Sequence, residues 1–208
     1  MSFKLVEDKS RISTYHLFSK YMFPFISVTY ELDITDLIIK AKEKGYKFSQ
    51  CFNFILMQAC NDVKEFRYRI KDDRLIEYDK VAISTTSLSA DLHLSFLYIE
   101  YTEDFEVFLE SFRRQIDSKN KDIASIDDYL DAIYTSCAPW ISYTGLITPV
   151  KNKNFSIPTI TYGKFFQHDN ATRMPITIQI HHGLVDGYHL GLLNTQISRY
   201  LEFFCKRV

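Results

Sequence analysis

The sequence predicts a two-layer α/β sandwich built on a mixed, mostly antiparallel sheet. Three observations carry that expectation. Stretches with helical and with strand periodicity intermix without the regular βαβ rhythm of a doubly wound fold. No glycine-rich phosphate loop follows a predicted strand. The 208 residues are 46% hydrophobic with only 6 Gly and 5 Pro, enough for one substantial core and too few turn formers for long linkers. No repeat or composition break divides the chain, so residues 1–208 read as one domain. Aromatics make up 15%, with 17 Phe and 14 Tyr, so rings must fill much of the core or an internal tunnel.

Taken in order, DITDLIIKAKEKG (33–45) offers a capping residue, an apolar face at Leu37, Ile38 and Ala41, and a glycine stop. Its Lys40, Lys42 and Lys44 read as a solvated face. A second helix, opened by Ser49, sets Phe52, Ile55, Leu56, Ala59, Cys60 and Val63 at three- and four-residue steps, as a packed face would. FRYRI and LIEY alternate on either side of Lys71-Asp72-Asp73-Arg74 and predict a hairpin. Strands follow near Val81–Leu88 and over 93–101, which is rich in β-formers. From Asp104 to Ile116 a helix aligns Phe105, Phe108, Leu109, Phe112 and Ile116. The polar QIDSKNKDIASIDD (115–128) reads as an exposed connection. Strands are expected again around Ala138–Ile147, Thr159–Phe165 and Met174–His182. A last helix after Gly187 lines up Leu190, Leu193, Ile197, Leu201 and Phe204.

Charge narrows the partners. With 25 Lys plus Arg against 26 Asp plus Glu there is no positive excess to track a phosphate backbone, so nucleic acid is not expected. Cys51, Cys60, Cys137 and Cys205 form no C-x-x-C pair and read as reduced thiols of a cytoplasmic protein. MSFKLVEDKS carries charges where a signal peptide needs its apolar stretch, and no apolar run approaches the roughly 18 residues of a membrane span.

The chemistry concentrates near residue 182. MPITIQIHH places Met174, Ile176, Ile178, Ile180 and His182 on one face of a strand and Thr177, Gln179 and His181 on the other. The strand then runs into Gly183-Leu184-Val185-Asp186-Gly187, giving H-H-G-L-V-D-G-Y-H. A histidine ending an apolar row can be a packed core residue. Held neutral and oriented, its imidazole, with an unperturbed pKa near ~6.5, can instead take a proton from a hydroxyl or thiol. Asp186 could orient it directly, or could pair with a basic residue and brace the turn. A metal site from His181, His182, Asp186 and His189 is a further reading, weakened because adjacent strand residues point to opposite faces. A nucleophile at Ser136 or Cys137 served by His182 is another, without a G-x-S-x-G elbow to support it.

H-H-G-L-V-D-G-Y-H resembles the signature of the type A chloramphenicol acetyltransferases, usually H-H-A-V-C-D-G-F-H. The similarity spans nearly the whole chain. Lys-Ser-Arg11-Ile sits at the family's W-x-R-x stretch, and E-F-R-Y-R-I-K-D-D from Glu65 is similar to its E-F/L-R-M-A-I-K-D-D/G. Ser136-Cys137-Ala138-Pro139-Trp140 resembles S-A-x-P-W. Pro158-Thr159-Ile160-Thr161-Tyr162-Gly163-Lys164 resembles P-x-x-T-M-A-K, and MPITIQIHH resembles L-P-L-x-V-Q-V-H-H.

The resemblance implies a homotrimer with sites at subunit boundaries, where acetyl-CoA as cosubstrate and chloramphenicol as acceptor enter a shared tunnel from opposite ends. No bound cofactor, metal or acyl-enzyme is needed. His182 matches the general base, Ser136 the serine that donates to the oxyanion, and Thr161 the threonine that binds the intermediate through water. Arg11 and Asp186 match an ion pair bracing the turn. Phe18 stands at the pocket tyrosine, Lys9 at a tryptophan, and Gly183 and Val185 at the usual alanine and cysteine. The span 84–99 diverges most and is expected to line the acceptor pocket. Dihydrolipoyl acyltransferases share the H-x-x-x-D-G turn and trimeric fold, but would be expected to bring a lipoyl domain and linker. The non-enzyme alternative is an inactive relative serving as a small-molecule binding or assembly module.

Overall fold

A seven-stranded sheet organises the molecule, in a computed structural model that describes residues 1–89, 91–117 and 129–207. In chain order the elements are β1 (Phe3–Leu5), α1 (Lys9–Phe18), β2 (Phe25–Asp33), α2 (Thr35–Lys44), α3 (Phe48–Asp62) and a 3₁₀ turn (Lys64–Arg67). There follow β3 (Tyr68–Lys71), β4 (Arg74–Tyr78), β5 (Ala82–Leu88), β6 (Leu94–Ile99) and α4 (Phe105–Asp117). The chain closes with β7 (Ala132–Ala138), β8 (Thr159–Gly163), β9 (Phe166–His168), β10 (Ala171–His181) and α5 (Gly187–Arg207). The main sheet runs β2-β10-β8-β7-β5-β6, with β9 also paired to β10, and a small second sheet runs β1-β4-β3. Among the described residues only β5–β7 and β7–β8 are parallel, so the sheet is mixed and mostly antiparallel, as expected.

Local chemistry explains the elements that the sequence foretold. Asp33 accepts from the Thr35 backbone N–H and hydroxyl at the start of α2, and Gly45 ends it with φ 72°. Asp104 accepts from the Glu106 and Val107 amides to open α4, whose Phe105, Phe108, Leu109 and Phe112 are buried. The β3–β4 hairpin turns on Asp72 and Asp73, both at positive φ, which closes it on two residues rather than four.

Two expectations need correction. The helix opened near Ser49 does not bury one stripe: every residue of α3 from Gln50 to Asn61 is buried. It lies between the sheet and α2, α4 and α5, so it has no solvent side, and its polar residues are absorbed by hydrogen bonds. Asn53 reaches Thr85, Thr135 and Tyr162, and Asn61 holds the backbone of Val81 from both ends. The strand expected around Ala138–Ile147 lies earlier, at Ala132–Ala138. Pro139 has no N–H to extend a ladder, and Trp140, Ile141 and Ile147 beyond it are exposed. Of the predicted exposed connection, Gln115–Asp117 close α4 and 118–128 lie outside the described residues.

The motif from Glu65 has a structural task. Arg69 is completely buried and donates to the carbonyls of Phe66, Tyr68, Leu130 and Ala132, tying the small sheet to the start of β7. Burial lowers its pKa to about 10, against the opposing pull of nearby groups that include Asp131.

Candidate active site

β10 delivers the paired histidines to the edge of the fold. Ile176, Ile178 and Ile180 face the helices, but Thr177, Gln179 and His181 on the opposite face are buried as well. The apolar row therefore does not single out a buried His182. His181 is the buried one, 3% exposed, between Tyr15 and Phe25. Its Nδ1 accepts from the Gly183 amide at 3.0 Å, and burial holds its pKa down at about 4. His182 follows the last strand residue, its own N–H still bonded to the Pro24 carbonyl, and its side chain is half-buried.

The His182 ring is oriented by backbone. Its Nδ1 lies 3.1 Å from the Val185 carbonyl, an atom that can only accept, so Nδ1 carries the proton. In the neutral ring that tautomer leaves the lone pair on Nε2, the form that can take a proton from an acceptor hydroxyl. Phe18 covers the ring, centroids 4.2 Å apart.

Asp186 takes the second of the two roles open to it. It does not bond His182; its Oδ2 accepts from the Arg11 guanidinium at 3.0 Å and its Oδ1 from the Tyr188 amide at 3.0 Å, while His189 Nδ1, 2.8 Å from Oδ1, accepts from the Asp186 amide at 3.3 Å. The same residue thus caps α5 and pins α1. Burial works to raise the carboxyl's pKa, and the Arg11 hydrogen bond with the nearby His189 charge outweighs it, leaving the value below the usual carboxylate range. Glu65, 3.6 Å from His189 Nε2, extends the cluster. Sequence reading missed Glu65 and His189 as bracing partners, although both sit inside the motifs it quoted.

α1 carries three of the side chains that clasp this turn. Arg11, Tyr15 and Phe18 recur at four- and three-residue steps and so share a face. Gly183 lets that face come close: a Cβ there would stand 3.0 Å from Tyr15 Cα and 2.9 Å from His181 Cε1.

Ser136 and Thr161 lie elsewhere on the sheet. Residues bonded to Asn53 (Thr85, Thr135) face the helices, so Thr86 and Ser136 face away from them. Directly opposite one another across five strands on that face stand Thr29, Thr177, Thr161, Ser136 and Thr86. Thr29 and Thr177 bond each other at 2.6 Å, and Ser136 bonds Thr86 at 3.2 Å. Thr161 Oγ1, buried, has no hydrogen-bond partner among the described residues. Phe96 continues the row at the sheet edge, and Phe96, Leu88 and Leu94 are exposed apolar surface of span 84–99 beyond Thr86. Cys137 points to the helix side instead, and burial raises its thiol to about 11, so it has no thiolate to offer as a nucleophile.

Within one chain these two groups do not meet. From the Thr177 row to His182 is five residues of extended chain, and from β10 to β7 is two strand spacings, which together separate His182 from Ser136 by about 20 Å. Among the described residues, no group of three or more His, Cys, Asp or Glu is placed to hold a metal ion, and no helix is long and apolar enough to cross a membrane.

Comparison with known proteins gives these residues a context. Residues 1–197 match the family model described as chloramphenicol acetyltransferase. A chloramphenicol acetyltransferase of Proteus mirabilis is 32% identical over 184 residues, covering 86% of this chain and 85% of that one. A solved structure of a chloramphenicol acetyltransferase matches with a TM-score of 0.85 at 25% identity, over 96% of this chain and 100% of the other. A probable dihydrolipoamide acetyltransferase from Listeria monocytogenes matches with a TM-score of 0.64 at 15% identity, over 100% and 96%, a likeness of fold alone.

Proposed function

Since the chain belongs to the chloramphenicol acetyltransferase family, we infer that it transfers the acetyl group of acetyl-CoA to a hydroxyl of chloramphenicol. The observation that carries the mechanism is the contact of His182 Nδ1 with the Val185 carbonyl at 3.1 Å, which in the neutral ring puts the lone pair on Nε2. His182 Nε2 takes the acceptor's hydroxyl proton as that oxygen adds to the thioester carbon. The resulting oxyanion accepts a hydrogen bond from Ser136 and, through water, from Thr161, whose unpartnered hydroxyl supports that role. Collapse breaks the C–S bond, and the proton on His182 passes to the departing sulfur.

One chain cannot perform this sequence, because its own Ser136 is about 20 Å from its His182. That separation supports a site shared between copies, with His182 and Phe18 from one subunit and the hydroxyl row from the next in a closed trimer. The exposed Phe96, Leu88 and Leu94 beyond Thr86 suit the apolar body of the acceptor. The ordered motifs support the type A branch, and dependence on acetyl-CoA, made inside the cell, supports a cytoplasmic location.

Thiol release from acetyl-CoA, followed with and without chloramphenicol and with mass analysis of the product, tests the reading. Release that requires chloramphenicol and yields acetylated drug is expected. No chloramphenicol-dependent release, or an acetyl group retained on Ser136, would overturn it, the first in favour of a binding module.

A further inference from the structure

A serine hydroxyl has one proton, and an oxyanion donor must aim it at the oxyanion. Ser136 Oγ lies 3.2 Å from Thr86 Oγ1, a pair whose hydrogen bond can run in either direction. If Ser136 donates to Thr86, its proton is occupied before the reaction starts. If Thr86 donates to Ser136, the serine proton is free, and the incoming hydrogen bond polarises the serine O–H towards stronger donation.

The surroundings favour the second arrangement. Thr86 is β-branched and stands in a strand paired on both sides, with β6 and with β7, so its hydroxyl is set by a stiff χ1 on a fixed backbone. On the other side of Ser136 the neighbouring hydroxyl, Thr161, makes no hydrogen bond among the described residues and does not draw the serine proton away. Thr177, next in the row, is already engaged with Thr29.

We propose that Thr86 is a positioning residue whose hydroxyl donates to Ser136 Oγ and so keeps the single Ser136 proton directed at the oxyanion. This rests on the reading of Ser136 as the oxyanion donor. The effect assigned to Thr86 passes through Ser136 and belongs to the transition state, where the oxyanion exists. Loss of the Thr86 hydroxyl should therefore lower kcat and leave KM unchanged.

The test is steady-state kinetics with acetyl-CoA and chloramphenicol on Thr86→Val, Thr86→Ser, Ser136→Ala and the Thr86→Val/Ser136→Ala double variant. Valine matches threonine in shape and suits a strand, and a melting curve checks that the fold is kept. Thr86→Val should lose about 5–10-fold in kcat with both KM values unchanged, as loss of one neutral hydrogen bond to the donor predicts. Thr86→Ser should restore the rate, and Thr86→Val should add nothing once Ser136 is alanine. A Thr86→Val enzyme as fast as wild type, beside a Ser136→Ala enzyme slowed by about 10²–10³-fold, would overturn the proposal and leave the Ser136 reading standing. So would a loss of equal size in the Ser136→Ala background, or one confined to KM. A Ser136→Ala enzyme as fast as wild type, or a wild type without turnover, would instead overturn the underlying reading and the proposal with it.

Discussion

If His182 and Ser136 act together only across a subunit boundary, two inactive variants must repair each other. Take chains carrying His182→Ala and chains carrying Ser136→Ala. Each alone assembles sites lacking one group, with expected losses of about 10²–10⁴-fold for the base and about 10²–10³-fold for the oxyanion donor. In a cyclic assembly each site takes its histidine from one chain and its serine from the neighbour. When the two variants are co-expressed in equal amounts and associate at random, a site is complete if its histidine donor is a Ser136→Ala chain and its serine donor a His182→Ala chain. That occurs for about one half times one half of the sites, so about a quarter of wild-type kcat should return, far above either parent.

The reciprocal mixture sharpens the test. Wild type mixed equally with the double variant should again keep about a quarter of sites if they are shared, but about a half if each site lies within one chain. The assay is thiol release from acetyl-CoA in the presence of chloramphenicol, on assemblies whose mixed composition is verified by native mass spectrometry through two different tags. Activity of the first mixture no higher than the parental mean, with mixed assemblies present, would refute the shared site. The separation of about 20 Å along and across the sheet would then have to be closed by a rearrangement within the chain.

The other expectations concern the turn itself. His182→Ala should abolish acetyl transfer without loss of stability, whereas His181→Ala, which empties a buried site between Tyr15 and Phe25, should lower the melting temperature and leave kcat per folded molecule nearly intact; kcat/KM and melting curves for both would expose a reversed assignment. Asp186→Asn should destabilise by about 2–3 kcal/mol, below the roughly 3–5 of a fully buried pair because the Asp186 side chain is 35% exposed, measured by urea unfolding. Acid should weaken the fold through His181: the unfolded chain binds that proton near pH ~6.5 and the folded one only near 4, so stability falls as pH drops through that window, by up to about 3 kcal/mol, and is unaffected above it. His181→Asn, which keeps an acceptor for the Gly183 amide but cannot titrate, should flatten that slope, and an unchanged slope would assign it to other groups. Gly183→Ala should cost about 1–3 kcal/mol by overpacking, since its Cβ would meet the Tyr15 backbone at 3.0 Å.

Much of the fold could be read from pattern, and what could not shares a physical reason. The Ile176, Ile178 and Ile180 row and the caps at Asp33 and Gly45 are local, and local rules find them. α1 escaped because KSRISTYHLF has one buried residue, Tyr15; what holds it is the Asp8 cap and the reach of Arg11 to Asp186, a contact between residues 175 apart. The Asp186 question stayed open in the sequence because the group that orients His182 is the Val185 carbonyl, and every residue has a carbonyl. The hydroxyl row is a matter of register: Thr29 and Thr177 meet across 148 residues, and nothing in either segment states which residue it will face.

The two halves of the site are built to different tolerances for that same reason. Ser136 and Thr161 ride on adjacent parallel strands inside the sheet, where ladder hydrogen bonds on both sides fix them without dedicated side chains. His182 stands one residue past the end of β10, where the ladder stops, and its position has to be made by other means. α1 supplies them: Phe18 against the ring, Arg11 on the carboxylate that caps α5, and Tyr15 against Gly183. Only the glycine permits the third contact, so the backbone of one short helix becomes the wall against which the turn is set. Substitutions on the exposed side of α1 should then leave turnover alone, while any change that tilts the helix moves Arg11, Tyr15 and Phe18 together. The base would be displaced as a unit from a row of hydroxyls that has not moved.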